Sequence, residues 1–218
     1  MKKLFLFFTI MGAVSFADQL SPKVNSTIVQ EDINPMRMGV KYRLFDDDGF
    51  EHFDIYGWDS NNKLFRFWEK HHASGVGAMP KISELNRQII RARLTHSPVR
   101  VKMQQEEGRD DKWYWIELQD KDAKELSEIP VPVAKIKTNK MNLKSPHNSY
   151  YYYGGFIYIG GIHVRTFHYK DPAHYGAETP DPMALIEEVM EKARKINGSV
   201  YIRNINDSKK APVFELVP

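Results

Sequence analysis

The stretch SYYYYGGFIYIGGIHVRTFHYKDPAHYG, residues 149–176, decides how the rest of the chain is read. It holds the densest aromatic run, two Gly-Gly pairs, and His163, His168 and His174 out of eight histidines. Side chains along a strand alternate between two faces. Read as one strand, Phe156, Tyr158, Ile162, Val164 and Thr166 share one side, and Ile157, Ile159, His163, Arg165 and Phe167 share the other. The first side stays essentially apolar. The second turns from isoleucine to His163 and Arg165 halfway along, so the strand is expected to leave the core there for solvent or a cleft.

Arginine offers a planar fork of donors and histidine an adjustable charge, which together suit an anion or a carboxylate. Tyrosine adds flat apolar area with a hydroxyl tip, suited to peptides, sugar rings and protein partners. The expected ligand-binding set is therefore Tyr151, Tyr153, Tyr158, His163 and Arg165. A plainer reading stands beside it, in which the tyrosines serve β-propensity and core packing and the His–Arg end is solvated and ion-paired. The weak metal candidates are His163, His168 and His174, because imidazole is a common ligand of zinc and other transition metals. Positions 163 and 168 differ by an odd number and so point to opposite faces, and no His-Glu-x-x-His spacing exists. Neither a metal site nor a cofactor is expected.

Working outward, the best-defined element follows this stretch. Asp181 is placed as N-cap with Pro182 at the first helical position. Met183, Ile186, Val189, Met190 and Ala193 form an apolar stripe, with Glu187 and Glu188 early and Lys192, Arg194 and Lys195 late, as the helix dipole favours. Asn197-Gly198 closes a helix over about 182–196. A second helix, over about 82–95, is predicted from Ile82, Leu85, Ile89 and Ala92, with Ser83 as a cap and Arg87, Arg91 and Arg93 on a solvated face.

The remaining pattern is of strands. Val40–Phe45, Phe50–Trp58 and Leu64–Trp68 alternate or run apolar, the last two flanking a five-residue hairpin loop. Val99–Met103 and Lys112–Gln119 read as partners. Pro130–Lys137 begins with prolines that only a sheet edge accepts. Ser199–Ile205 and Pro212–Val217 complete the set. Asp120–Ile129 is read as a helical turn or two and Thr138–Asn148 as a loop. Asp46-Asp47-Asp48-Gly49 is an acidic turn without the spaced ligands of a calcium loop. The predicted class is α+β, mainly antiparallel sheet with two principal helices. An extended arm over 18–37 precedes one domain over 38–218, with two halves meeting near 121–140 as the other division. No repeat on the scale of a domain is visible, only a six-residue echo in YYYYGG, FIYIGG and IHVRTF.

Lys2 and Lys3, the apolar run Leu4–Val14 and the small residues Ser15 and Ala17 give the three-part layout of a secretory signal cleaved after Ala17. That run is far shorter than the roughly 20 residues a membrane helix needs, and no later segment is longer, so no transmembrane segment is expected in the mature chain. The expected location is periplasmic or secreted. Cysteine is absent, which removes disulfides and thiolate chemistry. The formal charge is +3, of which Lys2 and Lys3 supply two, so nothing calls for nucleic acid. With 42% hydrophobic residues the chain is a folding one.

No Gly-x-Ser-x-Gly elbow and no phosphate-cradling loop with lysine occur. The favoured expectation is an exported, non-enzymatic binding or envelope-assembly protein whose aromatic-rich strand surface takes a protein or an envelope polymer. The alternative is an exported hydrolase or transferase whose cleft holds His163, Arg165 and His168, with or without a metal.

Overall fold

The computed structural model describes residues 24–45, 50–72, 78–106, 112–144, 151–170 and 181–218. Among them lie twelve strands, all paired antiparallel, and two α-helices, the α+β class expected from the sequence. The chain repeats one plan twice. The first unit runs β1 (Val24–Ile33), a 3₁₀ turn (Pro35–Arg37), β2 (Met38–Phe45), β3 (Phe50–Trp58), β4 (Leu64–His72), α1 (Ala78–Thr95), β5 (Val99–Glu106) and β6 (Lys112–Leu118). The second runs β7 (Val131–Pro132), a 3₁₀ turn (Val133–Lys135), β8 (Ile136–Lys144), β9 (Tyr151–Ile159), β10 (Ile162–Lys170), α2 (Pro182–Lys195), β11 (Ser199–Arg203) and β12 (Val213–Leu216). Each unit has a meander, β2-β3-β4 or β8-β9-β10, and a sheet whose middle strand follows the helix, β1-β5-β6 or β7-β11-β12.

Register makes the equivalence residue by residue. Ile33 lies opposite Val99 as Val131 lies opposite Val200, and Val101 opposite Ile116 as Ile202 opposite Phe214. Met38 faces Gly57 as Ile136 faces Ile159. The helices bury matching stripes, Ile82, Leu85, Ile89 and Ala92 in one and Met183, Ile186, Met190 and Ala193 in the other. They also end alike. His96 and Asn197 take positive φ of 56° and 48°, and the next amide, Ser97 or Gly198, donates to the carbonyl of Ala92 or Ala193. Twofold use of one plan therefore underlies two separate apolar cores, one per unit.

Local chemistry accounts for the elements. Asp181 caps α2 by accepting from the Met183 amide at 2.9 Å, with Pro182 at the first position. The exposed pairs Glu188–Lys192 and Glu191–Lys195 follow its outer side. Gly160 and Gly161, at φ +57° and +78°, make the two-residue turn between β9 and β10, a conformation other residues resist. The stretch read as one strand from Phe156 to Phe167 is thus a hairpin, and the parity drawn across 160–161 does not hold. Gly155 leaves room for Phe167, whose ring would lie 2.6 Å from an added Cβ.

Other expectations are corrected. Residues 138–144 belong to strand β8 rather than a loop. Ser83 sits inside α1, which begins at Ala78, and so does not cap it. Residues 24–33 of the arm are a strand paired with β5. The α1 arginines are not a solvated face. Arg87 donates to the Val164 carbonyl at 3.0 Å, Arg91 to those of Lys124 and Ala123, and Arg93 to those of Pro35 and Met38 at 2.9 Å each. Guanidinium groups here satisfy backbone acceptors that no ladder reaches. The acidic turn at 46–49 lies outside the described residues.

α1 joins the two units. Its Ile90, 3% exposed, and its Leu94 pack into the second core while the rest of its stripe fills the first. Against β10, Asn86 donates to the His163 carbonyl at 2.8 Å and Ser83 meets His163 Nδ1 at 3.3 Å. The register between His163 and Arg165 shifts by one residue, a bulge that leaves Val164 out of the β9 ladder. The carbonyls of residues 163 and 164 on either side of it are the ones α1 takes up.

Candidate binding face

β3 and β4 carry large apolar side chains on both faces. Phe65, Phe67 and Ile55 point inward to the first core. The opposite face consists of register partners Trp58 and Leu64, Tyr56 and Arg66, and Asp54 and Trp68, with His52 one step further along β3. On β2, Gly39 and Lys41 stand beside Tyr56 and Asp54. Trp58, Leu64 and Trp68 are 40%, 59% and 57% exposed, with the Tyr56–Arg66 pair between Trp58–Leu64 and Trp68. Large apolar side chains exposed on one face of a folded protein mark an interaction surface more often than scattered single ones do.

The face is built rather than loose. Asp54, buried, accepts both Nη2 contacts of Arg66, at 2.8 and 3.0 Å, so the carboxylate is matched by a cation on the neighbouring strand. His52 stacks on Trp68 with ring centres 5.8 Å apart and planes 11° apart. Arg37 lies over the Trp58 ring at 5.8 Å and also reaches Asn62 in the hairpin loop. The Tyr56 hydroxyl rests over Gly39, where an added Cβ would stand 2.8 Å from it. Flat aromatic area with Arg37, Lys41 and Arg66 around it suits a ligand with apolar surface and negative charge.

Behind the face, Glu69 of β4 pairs with Lys81 of α1 at 2.6 Å and accepts from the Tyr114 amide of β6. The Glu69 side chain is 1% exposed. Burial draws the Lys81 pKa below its ordinary value, against the opposing pull of Glu69. Lys81 Nζ also stands 4.4 Å over the Trp113 ring. This pair fixes β4, and with it Trp68, against α1 and β6.

The residues singled out from the sequence lie elsewhere and divide among three settings. Tyr158 and His163 are half-buried partners on the outer face of β9–β10, with ring centres 5.4 Å apart and Phe156 beside them. His163 is held between Ser83 and Thr166, the latter at 2.9 Å from Nε2. Burial lowers its pKa, a backbone hydrogen bond at Arg165 opposes this, and the Arg87 charge lowers it further. Arg165 is 6% exposed and donates to the carbonyls of Asp207 and Lys210, tying the β11–β12 turn to β10. His168 is exposed. Tyr151 and Tyr153 occupy β9 opposite Lys144 and Asn142, and their side chains lie outside the described residues, as does His174. Among the described residues, no three His, Cys, Asp or Glu side chains gather closely enough to hold a metal ion.

The outer face of β2-β3-β4 was not foreseen. A signal was present in residues 52–58 and 64–68, where both parities are rich in aromatic or aliphatic residues. A strand of that kind is either covered on both sides or leaves one apolar side bare. Compared with known proteins, the chain matches no family model, no curated protein and no solved structure.

Proposed function

We propose that this is an exported, non-enzymatic binding protein of the cell envelope, acting in the periplasm or outside the cell, and that its partner is held on the outer face of β2-β3-β4. The observation that carries the reading is the bare row Trp58, Leu64 and Trp68, braced by Arg66–Asp54 and His52. Tryptophan and arginine are the side chains that most often dominate binding energy when a partner desolvates them. Export is supported by the Lys2-Lys3 start, the Leu4–Val14 run and the small residues Ser15 and Ala17. A protein or an envelope polymer meets the chemistry of the face.

The test is the double variant Trp58→Ser/Trp68→Ser. Each change removes a partly exposed ring together with its Arg37 or His52 contact, so a loss of about 1–2 kcal/mol is expected and the variant is compared under conditions where it remains folded. Immobilised parent protein is expected to retain a component of envelope extract that the variant does not, at matched circular dichroism. Equal retention by the two proteins would overturn the proposal.

A further inference from the structure

The two units differ at the corner where the chain leaves the helix for the strand that follows it. In the second unit backbone closes that corner. Ser199 pairs with Pro132, and the Val133 amide donates to the Gly198 carbonyl at 3.0 Å. The matching positions of the first unit are Pro98, Asn34, Pro35 and Ser97. Pro35 stands where Val133 does and has no amide hydrogen to give, and the β1–β5 pairing stops at Ile33–Val99. An open cleft of about 370 Å³ lies there instead, between the Pro35–Arg37 turn and the end of α1.

Pro35, Met36 and Pro98 give the cleft apolar wall, and its polar groups are Asp32, Asn34, Arg93 and His96. Arg93 is half-buried and commits Nε to the Pro35 carbonyl and Nη2 to that of Met38, which leaves Nη1 without a partner among the described residues. No carboxylate answers its charge among them either. Its counterpart Arg194 is 51% exposed and pairs with Glu187 at 3.7 Å. The side-chain oxygen of Asn34 accepts from the Met36 amide, so its NH₂ group remains to donate. A register shift between Gln30 and Ile33 takes Asp32 out of the β5 ladder. Asp32 and His96 both hold left-handed backbone, at φ +53° and +56°, where the second unit has Pro130 and Asn197. Backbone held in that region by residues other than glycine gathers at ligand sites.

We infer that this cleft binds a small zwitterion, an α-amino acid with an apolar side chain. The ligand's carboxylate meets Arg93 Nη1 and the Asn34 NH₂ group, its ammonium meets Asp32, and its side chain lies against Pro35, Met36 and Pro98. A carboxylate at Arg93 supplies the counter-charge that Glu187 gives Arg194 in the other unit. Sites for small ligands begin at roughly 300 Å³, so the cleft suits one molecule of that size. None of these groups belongs to the outer face of β2-β3-β4, and the inference stands apart from the binding role proposed for that face.

The experiment is saturation-transfer NMR on the full chain with L-leucine, L-methionine and L-phenylalanine as probes, followed by a titration of each probe that responds. At least one is expected to bind. Its N-acetyl derivative, without the ammonium, and its carboxamide, without the carboxylate, should each bind at least about tenfold more weakly. Asp32→Asn keeps the size of an exposed side chain and accepts left-handed backbone, so the fold should be unchanged by circular dichroism. That variant should also bind the probe at least about tenfold more weakly. Three outcomes overturn the inference: no response from any of the three amino acids, derivatives that bind as well as the free amino acid, or binding undiminished in Asp32→Asn.

Discussion

Glu69 shows how much one residue can hold in place. Its carboxylate is fully enclosed and answers two donors at once, the Lys81 ammonium at 2.6 Å and the Tyr114 amide. Removing one member of such a pair strands the other charge in a poorly solvated place. Glu69→Ala should cost about 3–5 kcal/mol, seen as a lower urea midpoint. Glu69→Gln/Lys81→Met keeps an acceptor for the Tyr114 amide while removing both charges, and should recover most of that loss. A double variant no more stable than Glu69→Ala would show that the ion pair itself, rather than its completeness, stabilises the fold. None of this was legible in the chain order, since Glu69, Lys81 and Tyr114 fall on β4, α1 and β6. Only folding brings them together.

At the scale of elements, the contact between α1 and β10 includes the titratable ring of His163. Burial holds its pKa below the ordinary 6.5, with Arg87 adding to the shift. The unfolded chain therefore binds a proton at higher pH than the folded one does. Stability from this group is complete above about pH 6.5 and falls as pH drops through 6.5 toward the folded value, below which it levels. Asp181, also lowered overall because bonds from Lys140, Tyr169 and the Met183 amide outweigh its burial, acts in a separate and more acidic window. Urea midpoints taken from pH 7.5 to 5 should fall less steeply for His163→Gln than for the parent, since glutamine still reaches Ser83 and Thr166 without titrating. Parallel slopes would rule out a titrating contact. Helix α2 was readable in advance because its cap, stripe and end signals are all local. The arginines of α1 were misread because a guanidinium on a helix looks alike whether it meets water or a neighbour's carbonyl.

The whole molecule is two copies of one unit fastened by a shared helix. If a protease site is placed in the exposed linker at Lys121-Asp122, the cut chain should still elute as one particle, because Ile90 and Leu94 of the first half lie in the second core. Asn86→Ala/Arg87→Ala leaves the carbonyls of His163 and Val164 without their partners, at about 1–3 kcal/mol each. The cut variant should then dissociate at least about tenfold more readily in size-exclusion chromatography at falling concentration. Halves of the parent that separate on cutting would show that the units do not depend on this contact. The duplication went unseen in the sequence for a physical reason. Matched core positions keep apolarity and depth rather than identity, as with Leu85 and Ile186 or Ile116 and Phe214. Turn lengths differ as well, five residues at 59–63 against the Gly160-Gly161 pair.

What the sequence by itself determined was the class of the fold, the paired strands on either side of the first helix, and the ends of α2. Periodicity, caps and turn residues act within a few positions, so they are written in order along the chain. Which face of a strand is covered is a different matter, settled by elements distant in sequence. Tertiary structure alone set Ser83 of α1 against His163 and left Trp58, Leu64 and Trp68 exposed on the outer face of the other unit's meander. Alternation tells two faces apart, but only the packing of elements distant in sequence decides which one meets the solvent.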